Sequence, residues 1–140
     1  MTRRESREAA VRLMYEYGYH PETDAQEIIS RASQLRGEDF SAFTRELFTG
    51  ACLHLGEIDG IISASADNWR IGRIARVPLA VLRIAAEELL ASEHGEKKTD
   101  ARIIINEALE ICRTYADENA VAFVNGVLAK ALVMLKGEKQ

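Results

Sequence analysis

PLAVLRIAAEELLAS, residues 78–92, is the stretch that decides the fold. At 3.6 residues per turn, Leu79, Val81, Leu82, Ile84, Ala85, Ala86, Leu89 and Leu90 spread over most of a helical surface instead of gathering on one stripe. A helix apolar on most sides belongs in the middle of other helices, so the spacing predicts a central core helix over Pro78–Ser92. Pro78 suits its first turn, where the missing N–H has no partner to lose.

Amphipathic segments surround that core on both sides. Thr2 and Glu5 have the spacing of a capping box, and the first helix is predicted from Arg3 to about Tyr17, with Ala9, Ala10, Leu13, Met14 and Tyr17 on one face. Arg4, Arg7, Val11 and Tyr15 form a contiguous strip beside it. Gly18 and Pro21 end the helix. A polar second helix follows from about Thr23 to Leu35, a third from about Asp39 to Leu55 and a short fourth over Glu57–Ala66, with Gly37 and Gly56 as stops. Trp69 is expected as a plug between the two halves. Downstream, His94–Thr99 reads as a loop and Asp100 or Thr99 as the cap of a sixth helix running to about Tyr115. A seventh runs from Glu118 to Leu135, with Phe123, Val124, Val127, Leu128, Ala131, Leu132 and Leu135 on one side. The tail after Lys136 is expected to fray. No strand-like alternation occurs. The fold class is therefore all-α, one domain with an N-terminal part of about residues 1–68 and a C-terminal part of about 69–140.

Composition supports this reading and removes several functions. The chain is 47% hydrophobic but only 6% aromatic, with two prolines, which favours helix packed on helix. The net charge of −4 means that any nucleic-acid contact must come from a local basic patch. Cys52 and Cys112 sit among apolar neighbours and read as buried free thiols. No apolar run approaches the ~20 residues of a membrane span, and a cytoplasmic location is expected. His20, His54 and His94 are scattered without metal-ligand spacing. Glu87-Glu88 and Asp117-Glu118 are adjacent acids that point in different directions on a helix, and no phosphate-binding or nucleophile motif occurs. Neither an enzyme nor a bound metal or cofactor is expected.

A binding constellation remains. Guanidinium groups neutralise phosphates, and an aromatic ring stacks on unpaired bases. Arg4, Arg7 and Tyr15, with Arg3 nearby, supply that pairing on the first helix, although Glu5, Glu8 and Glu16 interrupt the charge and a salt-bridged face has the same pattern. Arg70, Arg73 and Arg76 recur every third residue ahead of the core helix and either extend a nucleic-acid path or pair with acids such as Glu57 and Asp67.

Several segments, in order, resemble the NusB family of bacterial transcription antitermination factors. They are Arg3-Arg4-Glu5-Ser6-Arg7-Glu8-Ala9-Ala10 with Leu13-Met14-Tyr15; Phe43, Leu47 and Gly50 with Ile58-Asp59 and Ile61-Ile62; and Trp69 with Arg73-Ile74. Val81-Leu82-Arg83-Ile84-Ala85 with Glu88-Leu89-Leu90, then Ile105-Asn106-Glu107-Ala108-Leu109-Glu110, and finally Phe123-Val124-Asn125-Gly126-Val127-Leu128 complete the series. The resemblance implies about seven helices in two packed bundles. It also implies binding of the boxA element of nascent ribosomal RNA together with the ribosomal protein NusE, joining RNA polymerase and other antitermination factors without chemistry. The RNA surface would combine Arg3, Arg4, Arg7 and Tyr15 with Asn119 and Phe123 at the start of the last helix. For Phe123, core packing and base stacking both stay open. Gly126 would allow close helix approach, and Asn106 and Glu107 would cap or brace a neighbouring helix. The partner surface would lie around Trp69, Arg73, Arg76 and Pro78, where Pro78 and Leu79 depart from the acidic and basic residues common in the family. A protein-interaction module without RNA binding, or a homodimer using the same strip, is the alternative.

Overall fold

The computed structural model describes residues 1–95 and 98–139, apart from the side chains of 138 and 139. Its elements are α1 Arg3–Tyr19, α2 Ala25–Arg36, α3 Ala42–Leu53, α4 Leu55–Ser65, a 3-10 turn Ile71–Arg73, α5 Arg76–His94, α6 Ala101–Tyr115 and α7 Glu118–Lys139. No strand occurs among the described residues.

Polar side chains set the helix starts. Thr2 Oγ1 accepts from the Glu5 amide (3.0 Å) while Glu5 accepts from the Thr2 amide (2.9 Å), closing the capping box. Asp24 and Asp100 cap α2 and α6 by accepting from Gln26 N and Arg102 N, both at 2.9 Å. Ser41 caps α3 through the Thr44 amide (3.1 Å), which moves that start inward from the predicted Asp39. Ser6 and Ser41 hydroxyls share a hydrogen bond (2.9 Å) and Thr44 Oγ1 donates to the Ser6 carbonyl (2.8 Å), so one polar cluster joins α1 to α3. Gly37 ends α2 at φ 67, a left-handed position that glycine occupies without steric penalty. Gly56 does not stop α3. The chain breaks earlier, at His54, and Gly56 lies inside α4.

Helix α5 holds the centre. It packs against α1, α3, α4, α6 and α7, and Leu82, Ala86 and Leu89 are fully enclosed. It begins at Arg76, so Pro78 occupies its third position, where the amide would still lack an intrahelical acceptor. It extends to His94, whose Nε2 donates to the Leu135 carbonyl of α7 (2.9 Å). The expected loop therefore shortens, and Glu96–Lys97 lie outside the described residues. Helix α7 continues through the expected frayed tail to Lys139, and Gln140 at its end lies outside the described residues. Over Glu118–Gly137 it has the length and mean hydropathy (1.6) of a membrane span, contrary to the expectation that no such run exists. Val121, Val124, Val127, Leu128, Ala131 and Leu135 place its apolar face in the core.

The close approach expected at Gly126 is found at Gly50 instead. A side chain at Gly126 would meet nothing within 4 Å, so no close approach exists there. A Cβ at Gly50 would sit 2.3 Å from Glu87 Oε2, so the Glu87 carboxylate can occupy its place between α3 and α5 because residue 50 lacks one. Glu87 is buried at that contact and bonds His54 Nδ1 through Oε1 (2.9 Å). The bond to Glu87 raises the His54 pKa above its ordinary 6.5. Burial raises that of Glu87 in turn, outweighing the opposing effect of His54. Cys112 is buried and Cys52 half-buried; both are free thiols, and burial pushes Cys52 up to about 12.

Both members of the His54–Glu87 pair bind their protons more tightly in the folded state, so folding stability declines as pH rises. The His54 share is fully present below 6.5 and is lost as pH climbs through the raised value. NMR titration is expected to place His54 above 6.5 and to return it toward that value in Glu87→Gln. Gly50→Ala is expected to displace the carboxylate, lower the His54 pKa and cost about 1–3 kcal/mol in urea denaturation. An unshifted His54 would contradict the close contact.

Candidate nucleic-acid interface

The arginines at the head of α1 have three different surroundings. Arg3 lies with its guanidinium carbon 4.0 Å from the centre of the Phe43 ring, exposed at the surface. Arg4 keeps 54% of its side chain exposed and pairs through Nε with Glu107 Oε2 at 2.6 Å. Arg7 is turned inward. Its Nε and Nη2 meet Glu88 Oε1 and Oε2 at 2.8 and 2.7 Å, a two-pronged bond between side chains only 8% and 7% exposed. Glu107 Oε1 lies 4.0 Å from Arg7 Nη1, so Glu107 reaches both Arg4 and Arg7 from α6.

This placement alters the predicted strip of Arg4, Arg7, Val11 and Tyr15. Arg7 and Val11 face the interior, and the outward residues are Arg3, Arg4, Arg12 and Tyr15. The physical reason is Glu88, an acid enclosed on the core helix that requires a cation at bonding distance. Its bond raises the Arg7 pKa further, so the guanidinium stays charged. The clue lay in Glu87-Glu88 itself: two consecutive acids on a helix surrounded by others cannot both reach water. Glu107 braces α1, as the family resemblance implied.

Tyr15 stands edge-on to Tyr19 (5.3 Å between centres, 72°), and the two hydroxyls are 3.1 Å apart. The guanidinium carbon of Arg76 lies 4.1 Å from the Tyr19 ring centre, and its Nη1 donates to the Gly18 carbonyl (3.0 Å) at the end of α1. Arg76 thus pairs with no acid among the described residues. Beside Tyr15 opens a groove of about 560 Å³ with Val11, Val77 and Ala80 among its apolar lining and Tyr115 on its wall. The Tyr115 hydroxyl donates to Glu8, tying the end of α6 to α1. Pro78 is buried in the first turn of α5 and presents no surface beside this groove.

At the start of α7, Asn119 is exposed and Asp117 Oδ1 accepts from the Ala120 amide (2.9 Å), so a carboxylate already occupies part of that helix terminus. Phe123 is half-buried, with its ring centre 6.1 Å from that of Trp69 at an interplanar angle of 47°. Trp69 is not the interior plug that its apolar bulk suggested: it is 54% exposed. Asp67 and Asn68, at φ 54 and 64, turn the chain so that Trp69 projects outward. Arg70 and Arg73 are exposed, and of the two alternatives the pairing with Glu57 or Asp67 does not form among the described residues; Asp67 bonds Lys130 instead (2.9 Å). No cluster of three metal-ligating side chains occurs among the described residues.

The model of the NusB family matches residues 4–132. The chain belongs to the NusB family. A NusB family member from Ruminiclostridium cellulolyticum, named transcription antitermination protein NusB, is 37% identical over 134 residues, covering 93% of this chain and 88% of the relative. One of the same name from Lysinibacillus sphaericus is 32% identical over 130 residues, covering 93% and 96%. The solved NusB of T. maritima superposes with a TM-score of 0.80 at 28% identity, over 99% of this chain and 96% of that one. The fold also matches a chain in the crystal structure of the antitermination factors NusB and NusE in complex with double-stranded RNA, with a TM-score of 0.79 at 24% identity over 96% and 99% of the two chains.

Arg7→Ala leaves Glu88 enclosed and unpaired and is expected to cost about 3–5 kcal/mol. Arg4→Ala, at the surface, is expected to cost less than about 1 kcal/mol. Chemical denaturation of the two variants separates these roles; equal small losses would show that Arg7 is not held in the interior.

Proposed function

We propose that this chain is a cytoplasmic transcription antitermination factor that binds boxA-type single-stranded RNA of nascent ribosomal transcripts together with NusE and performs no catalysis. The observation that carries this reading is the near full-length likeness to relatives named for antitermination. A shared fold with NusB in its solved assembly with NusE and RNA adds support.

On this reading Arg3 and Arg4 receive backbone phosphates, Asn119 bonds a base or phosphate from the start of α7, and Phe123 supports the adjacent aromatic surface. Tyr15 lies between that path and the groove beside Val77 and Tyr115. The groove suits NusE, since it offers apolar area between the charged side chains of Arg12, Glu16, Arg36 and Glu38. Arg7 acts at one remove, by holding α1 in place. Glu107 takes only Nε of Arg4, so the Nη groups stay open to a phosphate.

A second reading is a protein-interaction module without RNA binding. The pairing of Arg4, Arg12, Arg36 and Arg113 with carboxylates favours it. Labelled boxA RNA, titrated at several salt concentrations with and without NusE, decides between the two. Binding is expected, and Arg3→Ala plus Arg4→Ala is expected to flatten the salt dependence by up to about two phosphate contacts. No binding even with NusE would leave the interaction module as the answer.

A further inference from the structure

The strongest unassigned feature is the surface around Trp69. Arg70 and Arg73 follow it at the two ends of one turn, closed by the Arg73 amide donating to the Arg70 carbonyl (2.9 Å). Neither guanidinium has a partner among the described residues. Every other arginine is engaged by a carboxylate, a carbonyl or an aromatic ring. Asp67, two residues before the indole, is itself occupied by Lys130. An acidic protein has thus left two unopposed cations beside its one tryptophan.

The main chain that carries the indole is held in place by three hydrogen bonds. Ser63 Oγ donates to the Trp69 carbonyl (2.8 Å), the Asn68 amide to the Ser63 carbonyl (2.8 Å) and the Trp69 amide to the Ala66 carbonyl (3.1 Å). Phe123 supports the ring from α7. Left-handed backbone at two successive non-glycine residues, Asp67 and Asn68, is a conformation that surrounding structure must enforce. Its result is a large, exposed aromatic surface next in the chain to two free guanidinium groups. A stacking platform for an unpaired base, with cations for the flanking phosphates, has this composition.

We infer that Trp69, Arg70 and Arg73 form a nucleic-acid subsite, in which one unpaired base stacks on the indole and the two guanidinium groups meet the adjacent phosphates. The inference rests on the RNA-binding reading above and changes its map. Trp69 and Arg73 leave the partner surface and join Asn119 and Phe123 on the RNA surface, while Arg76, committed to α1, does not.

The single tryptophan makes the test direct, because a base stacked on the indole quenches its fluorescence. Labelled boxA RNA is titrated into the whole protein while RNA anisotropy and tryptophan emission are followed together. The expected result is quenching with the same midpoint as the anisotropy change. Trp69→Ala is expected to weaken binding roughly tenfold, with Trp69→Phe restoring most of it. Arg70→Ala and Arg73→Ala, which remove no internal contact, should each lower the salt slope by about one. RNA that binds with emission and salt slopes unchanged would overturn the subsite and leave the antitermination reading standing. An anisotropy signal absent even with NusE would overturn both. Loss of NusE affinity in Trp69→Ala with RNA affinity unchanged would assign the platform to a protein partner and refute the inference.

Discussion

The bond between Arg7 and Glu88 governs how the molecule is arranged. Enclosing two opposite charges costs desolvation, which is offset only when geometry is close and both groups keep their bonds. Two short parallel bonds meet that requirement. Because the fork on α1 must face the carboxylate on α5, the rotation of α1 about its own axis is settled. Ala9, Ala10, Leu13 and Met14 then turn into the core, and Arg3, Arg4, Arg12 and Tyr15 turn out. The surface face of α1 is in this sense a consequence of an interior contact. Glu107 extends the same arrangement to α6, linking the buried arginine to the exposed one.

A recurring use of arginine follows from the acidic composition. Most guanidinium groups fasten one element to another: Arg83 clasps Asp59 between α5 and α4, Arg36 reaches Glu16 and Glu38, and Arg76 closes the end of α1. Counting basic residues therefore overstates the charge available to a ligand. What matters is which cations lack an internal partner, and among the arginines of the described residues those are Arg70 and Arg73, on one turn instead of along the first helix.

Periodicity carried most of the architecture. The all-round apolar character of residues 78–92, the capping box at Thr2 and Glu5, and the buried face of α7 are local patterns, and the helices form where those patterns lie. The misplacements have a common origin in contacts between residues far apart in the chain. Arg7 looks like its neighbour Arg4 until α5 presents Glu88. Gly50 looks like any helical glycine until Glu87 arrives beside it, whereas the more conspicuous Gly126 has open space around it. Trp69 was expected inside because of its size, but its direction is set by the Asp67–Asn68 turn. The family resemblance supplied the RNA and NusE reading that residue chemistry alone left open.

Helix α5 has a consequence for how the protein comes apart. The N-terminal helices α1, α3 and α4 and the C-terminal helices α6 and α7 all rest on it, so neither group can keep its apolar face covered once α5 is withdrawn. A half-folded species would expose one whole side of the core to water. The two groups are therefore coupled through α5, and a change in its packing is felt on both sides of the molecule.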